Sequence, residues 1–211
     1  MLTRETPVES AGPVGPLEAL YLDSPAPHGL ALLCHPNPVQ SGTMMNKVVS
    51  TLQRTARDAG LSTLRFNYRG VGASAGNHDM GTGEVDDALA AAHWLRARHP
   101  DLPITLLGFS FGGFVAASLG GRLEAQGETL ARLIMVAPAV MRLRDEDALP
   151  LACPLTVIQP ETDEVIDPQL VYDWSNALTR PHELLKVAEC GHFFHGKLPE
   201  LKELVAPRLS N

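Results

Sequence analysis

Residues 104–121 read ITLLGFSFGGFVAASLGG, and the order of their parts decides the fold. Ile104–Phe109 is a mainly apolar segment with strand character. From about Gly112 the chain has helical potential. Between the two stands Gly108-Phe109-Ser110-Phe111-Gly112, a G-x-S-x-G pattern. A serine at a sharp strand-to-helix turn exposes its hydroxyl above the carboxyl edge of a sheet, with small neighbours where backbones crowd. The same pattern recurs in Gly72-Ala73-Ser74-Ala75-Gly76. There RGVGA leads in and GNHDMGTG leads out, and both read as loop. Ser110 is therefore the candidate nucleophile, and Ser74 belongs to a Gly-rich connection.

Outward from this stretch, strand-like and helix-like segments alternate. Strands are expected over 17–23, 29–35, 62–68, 104–109, 130–138, 153–160 and 183–189. Helices are expected over 42–60 (ended by Gly60), 83–100 (acidic first turn, basic last turn, then proline), from about 112, near 168–178 and near 199–209. Alternation with buried strands predicts an α/β fold: a mostly parallel twisted sheet flanked by helices. The Pro/Gly-rich opening reads as a flexible arm over 1–15, with a single domain over 16–211.

Composition narrows the function classes. The 211 residues carry a net charge of −7 and no basic cluster, which argues against nucleic acid or an anionic membrane as partner. Cys34, Cys153 and Cys190 are scattered, as in a reduced, cytoplasmic protein with buried thiols. The first sixteen residues lack the apolar core of a signal peptide, and no run reaches membrane-spanning length. Cys34 precedes His35, but it closes an apolar strand, where an inert thiol is the default.

A serine hydroxyl needs a base, and the base needs an orienting partner. In open α/β sheets such groups gather beyond the carboxyl ends of the strands. After 153–160 come Glu161, Asp163, Glu164 and Asp167; after 183–189 come His192 and His195. The chain order is serine, acid, histidine. The two histidines with nearby carboxylates could mimic a metal pair, but no second ligand cluster has recognisable spacing, so no metal or other cofactor is expected.

From residue 17 to its end the sequence resembles the α/β-hydrolases. It is similar to small cap-less bacterial serine hydrolases with an HPNP loop (35–38), FNYRGVGASAG (66–76), GFSFGG (108–113) and a closing GHFFHG (191–196). The resemblance implies the α/β-hydrolase fold without a lid domain, and a catalytic set of Ser110, Asp163 and His192. Pro160 stands where such proteins commonly have glycine, and Asp167, ahead of Pro168, suits a helix N-cap as well as the acid's place. His195 falls to a structural or rim position.

An acyl-transfer intermediate also needs fixed N–H donors for its oxyanion. Phe111, after the nucleophile, is one. In His35-Pro36-Asn37-Pro38 the prolines have no N–H, so Asn37 is the backbone donor, in a loop stiffened by both prolines. His35, Pro36, Val39 and Met44 are expected to contact substrate, with Phe111 and Phe193 nearby. Only AVMRLRDEDALPLA (139–152) separates two strands where a cap would be inserted, so the site should be open and shallow. The leading expectation is a carboxylesterase or thioesterase acting on small, water-soluble acyl substrates, as a monomer or small homo-oligomer. A serine peptidase, a carbon–carbon bond hydrolase, or a non-catalytic binding protein on the same scaffold are the rivals, since fold does not fix substrate.

Overall fold

The computed structural model describes residues 4–143, 149–150 and 152–210. Eight strands form one sheet: β1 (Thr6–Gly12), β2 (Gly15–Leu22), β3 (Leu30–Cys34), β4 (Ser62–Phe66), β5 (Ile104–Phe109), β6 (Leu130–Val136), β7 (Leu155–Pro160) and β8 (Glu183–Val187). Their spatial order is β1-β2-β4-β3-β5-β6-β7-β8. From β4 to β8 every neighbour is parallel, while β1 and β2 run antiparallel. Five α-helices cover it: α1 (Lys47–Asp58), α2 (Thr82–Arg96), α3 (Phe111–Ala125), α4 (Pro168–Ala177) and α5 (Leu198–Val205). This is the expected α/β-hydrolase architecture.

The central strands are buried along their whole length, so their apolar runs are continuous rather than alternating. Two cores result. Val85, Ala88, Phe111, Val115 and Val171 pack α2, α3 and α4 onto one face. Val48, Leu52, Leu201 and Val205 pack α1 and α5 onto the other. Parallel connection sends the carboxyl ends of β3 to β8 to the same edge, and the candidate residues lie in the loops there.

Two expectations need correction. Residues 6–12 are not a loose arm: they form β1, which pairs residue for residue with β2 from Thr6↔Tyr21 to Gly12↔Gly15. The Pro and Gly of the opening mark the tight turn at Pro13-Val14, with Gly15 at φ +132°, a hairpin device rather than disorder. The start of β1 is also tied down, because the Arg65 guanidinium on β4 donates to Glu5, to the Met44 carbonyl and to the Ser50 hydroxyl. The helix expected over 42–60 begins only at Lys47, where Asn46 caps it by accepting from the Val48 and Val49 N–H groups. After β6, Val140–Arg142 form a single 3-10 turn; the rest of the linker at 144–148 and 151 lies outside the described residues.

Buried polar bonds hold the loops at the carboxyl edge. Asp87 on α2, fully buried, accepts from the Arg69 N–H (2.8 Å) and from its guanidinium Nε and Nη2, fastening the loop after β4. His35 at the end of β3 is also fully buried. Its Nδ1–H donates to the Pro36 carbonyl at 2.7 Å, and its Nε2 accepts from the Tyr68 N–H at 3.2 Å. These two bonds demand the neutral ring. Burial pushes the His35 pKa down to about 3, the Pro36 bond opposing this only in part.

Two tests follow from these bonds. Asp87→Ala strands a buried guanidinium and should cost about 3–5 kcal/mol of stability, read as a lower urea midpoint. Because His35 takes its proton in the unfolded chain near pH 6.5 but in the folded chain only near pH 3, its contribution is complete above pH ~6.5 and is lost as pH falls through that window, with a slope up to ~1.4 kcal/mol per pH unit. His35→Gln, though less stable at neutral pH, should lose stability more gently than the parent between pH 6.5 and 4 in urea titrations; equal slopes would refute the assignment.

Candidate active site

Ser110 joins β5 to α3 with φ 55° and ψ −118°. That left-handed position is unfavourable for a residue with a Cβ, at a cost on the order of 1–3 kcal/mol. The glycines explain how the turn closes. A Cβ on Gly108 would sit 2.0 Å from the Gly112 carbonyl oxygen, and one on Gly112 would sit 2.1 Å from the Cys34 carbonyl oxygen. The first turn of α3 thus lies directly against the end of β3. Backbone bonds fix the serine further: its N–H donates to Val136 O (2.9 Å), and its carbonyl accepts from Gly113 and Ala139. Among the described residues its hydroxyl has no hydrogen-bond partner.

Ser74 is the opposite case. Its hydroxyl donates to Asn67 O at 2.7 Å and accepts from the Glu18 N–H at 2.9 Å, which staples the Gly-rich loop to β2. Gly72, at φ +56°, leaves room for the Glu18 carboxylate, which a Cβ would meet at 2.2 Å.

Asp163 and His192 come together from the loops after β7 and β8. Those strands end in register, Pro160↔Val187, and Thr162 binds the Cys190 carbonyl through both its N–H and its hydroxyl. His192 Nδ1 lies 2.8 Å from Asp163 Oδ2, with both side chains buried. The other carboxylate oxygen accepts from the Val165 (2.8 Å) and Ile166 (2.7 Å) N–H groups. Burial raises the Asp163 pKa, but the His192 bond and these backbone donors outweigh it and hold the carboxyl below its ordinary value. The His192 ring lies 5.0 Å from that of Phe109, the residue just before Ser110, and its Nε2 has no partner among the described residues. Asp167 has a different task, capping α4 through the Gln169 N–H. His195 is exposed at the rim, its ring 6.1 Å from that of Phe193.

The HPNP loop sits beside Ser110 because Cys34 of β3 pairs with Gly108 of β5. The Asn37 side chain turns back to accept from the Val39 N–H at 3.0 Å, while its own N–H has no partner among the described residues. As the first residue of α3, Phe111 has an N–H with no partner inside its helix. Of the side chains expected to contact substrate, Val39 is 70% exposed, but His35, Pro36 and Met44 are buried. The reason is that the loop folds inward: His35 packs on Tyr68 with ring centroids 4.1 Å apart, and the Met44 backbone is held by Asn67 and Arg65. The His35 and Met44 contacts support the loop from beneath, and Val39 is the one of the four with a largely exposed side chain.

Three supporting residues escape sequence reading. Gln159 donates to Asp163 Oδ2 at 3.2 Å, the Glu164 carboxylate accepts from the His192 N–H at 3.0 Å, and Phe109 stacks on the imidazole. Gln159 was the most accessible of them, as a polar side chain inside an apolar strand. Burial raises the Cys34 thiol to about 12, so it stays protonated and inert. Among the described residues no three His, Cys, Asp or Glu side chains are placed to hold a metal ion, and no helix is long and apolar enough to cross a membrane.

Comparison with known proteins agrees with this fold. The family model for serine aminopeptidases of the S33 type matches residues 27–152. A Rickettsia prowazekii protein of uncharacterised function is 35% identical over 204 residues, covering 92% of this chain and 84% of its own. A lid-less α/β serine hydrolase from Xanthomonas campestris superposes with a TM-score of 0.88 at 38% identity, covering 99% of this chain and 95% of its own. An α/β serine hydrolase homologue from Coxiella burnetii superposes at 0.89 with 36% identity over the whole of both chains. With the turn at Ser110 and the strand order already in hand, the chain belongs to the α/β-hydrolase superfamily, among its serine hydrolases without a lid.

Proposed function

We propose that the protein hydrolyses carboxylic esters or thioesters of small, water-soluble acyl groups through an acyl-enzyme on Ser110. The observation that carries this reading is the buried His192–Asp163 hydrogen bond at 2.8 Å, with the imidazole stacked on the residue next to Ser110. Asp163, ionised at neutral pH, accepts the Nδ1–H and leaves Nε2 free to act as base. Nε2 takes the Ser110 proton as Oγ bonds to the substrate carbonyl carbon. The oxyanion so formed is held by the N–H groups of Asn37 and Phe111, both free for the purpose. Collapse breaks the bond to the leaving group, which departs with the proton from Nε2. Water then attacks the acyl-enzyme by the same route and frees Ser110. The stiff HPNP loop suits a donor that must not reorganise during the reaction.

The family model's description favours a second reading, hydrolysis of an N-terminal peptide bond. The same proton path would serve an amide, and an aminoacyl p-nitroanilide turned over faster than p-nitrophenyl butyrate would select that reading.

Two experiments test the roles. A fluorophosphonate should label the intact protein at Ser110; Ser110→Ala should abolish labelling and esterase activity, whereas Ser74→Ala, if folded, should still be labelled. An adduct on any other residue would overturn the assignment. Separately, His192→Ala should lower kcat by roughly 10⁴-fold or more, and Asp163→Asn by a similar order. His195→Ala and Asp167→Asn should stay within about tenfold of the parent, since a cap affects mainly stability. A dead Asp167→Asn beside an active Asp163→Asn would move the acid's role.

A further inference from the structure

We propose that the groove between the loop before α2, helix α3 and the turn after β6 is the pocket for the acyl part of the substrate, sized for a short chain. This inference rests on the ester-hydrolase reading above. The groove has a volume of about 450 Å³ and is lined by Met80, Thr82, Phe114, Ser118, Met141 and Arg142 among others. That volume is in the lower range of small-ligand pockets.

Its position relative to Ser110 follows from the bonds around it. The Arg142 N–H donates to the Ala139 carbonyl, and the Ala139 N–H donates to the Ser110 carbonyl. The wall of the groove is thus two hydrogen bonds from the serine backbone. On the opposite wall Phe114 lies one helical turn beyond Ser110, its ring 5.7 Å from that of Phe111. The Phe111 ring, buried, is the partition between groove and core, with the Arg142 guanidinium 5.1 Å from its centroid.

Direction comes from the reaction itself. The leaving group must receive its proton from His192, so it departs on that side of Ser110. His192 stacks on Phe109, which belongs to the core under α1 and α5. The groove lies over the opposite face, against α2 and α3, whose core includes Phe111 and Val85. With the leaving group on the His192 side, the acyl chain points into the groove.

Its dimensions are set locally. Gly81, at φ +130°, carries no Cβ that would come within 3.0 Å of the Phe114 ring. Met80 and Met141 stand exposed on opposite lips, and adaptable thioethers suit a chain-binding mouth. Arg142 Nη1 donates to the Met80 carbonyl at 3.1 Å and ties one lip to the other. Arg142 is therefore a positioning residue that fixes the mouth, and Ser118, one turn beyond Phe114 on α3, lines the same groove.

Steady-state kinetics of the full chain on p-nitrophenyl acetate, butyrate and hexanoate tests the assignment. Ser118→Phe fills the groove and should lower the hexanoate-to-acetate ratio of kcat/KM by roughly tenfold or more, the effect of losing a few methylene contacts. Met141→Ala widens the mouth and should raise that ratio. Met141→Trp, at an exposed position that tolerates bulk, is the second narrowing variant should Ser118→Phe not fold. Fluorophosphonate labelling of Ser110 in the parent, with a ratio that no variant moves, overturns the pocket alone. A parent that is neither labelled nor active on any ester overturns the hydrolase reading and the pocket with it.

Discussion

The molecule depends on one backbone crossing: the first turn of α3 lies so close to the end of β3 that residue 112 cannot carry a Cβ. Gly108 is pressed in the same way against the Gly112 carbonyl. Between these two points the chain has a single way to turn, and Ser110 is left in the left-handed region with its carbonyl and N–H both bonded. A side chain at either glycine would move α3 off the sheet. With it would go Phe111 and its neighbours in one core, and the alignment of the HPNP loop with the serine. The unfavourable conformation at Ser110 is sustained because its surroundings over-determine it.

Around that crossing, the loops at the carboxyl edge are fixed by buried polar groups rather than by apolar packing alone. His35, Asp87, Ser74 and Asp163 each satisfy two or more backbone or side-chain partners out of water. Such groups are costly when half satisfied and stiff when complete. This explains how irregular loops at this edge keep a fixed form without a covering domain. Acid is expected to loosen this edge, since the bonds described use His35 neutral and Asp163 charged.

Much of this was legible in the sequence, for identifiable reasons. The segment 104–109 reads as a strand because it is apolar apart from one β-branched threonine and carries no charge, and the structure places β5 over the same residues. Ser74 and Ser110 share a motif, and the residues before each distinguish a loop from a strand. What the sequence concealed was direction. His35, Pro36 and Met44 occupy a loop at the site, and nothing in their spacing reveals that the loop folds inward onto Tyr68 and Arg65. Residues 6–12 carry weak strand propensity and acquire their form from pairing with β2, a tertiary effect that outweighs composition. Glu164 acts through His192, 28 residues along the chain, and Gln159 reaches Asp163 only because the turn after β7 folds back on its strand, neither of which local pattern shows.

The clasp between Glu5 and Arg65 gives the amino-terminal segment a weight out of proportion to its length. The guanidinium sits nearly out of water on β4, and among the described residues Glu5 is its one carboxylate partner. A protease nick just after that residue would leave a stranded cation beneath the loop that carries Met44, a loss of several kcal/mol by analogy with other broken buried pairs. The edge strand would then be held by its ladder with β2 and its packing on α2 alone, and any loosening there would offer the sheet's unpaired N–H and C=O groups to another chain. A cut ahead of β1, far along the chain from Ser110, would thus act on the exposed margin of the sheet.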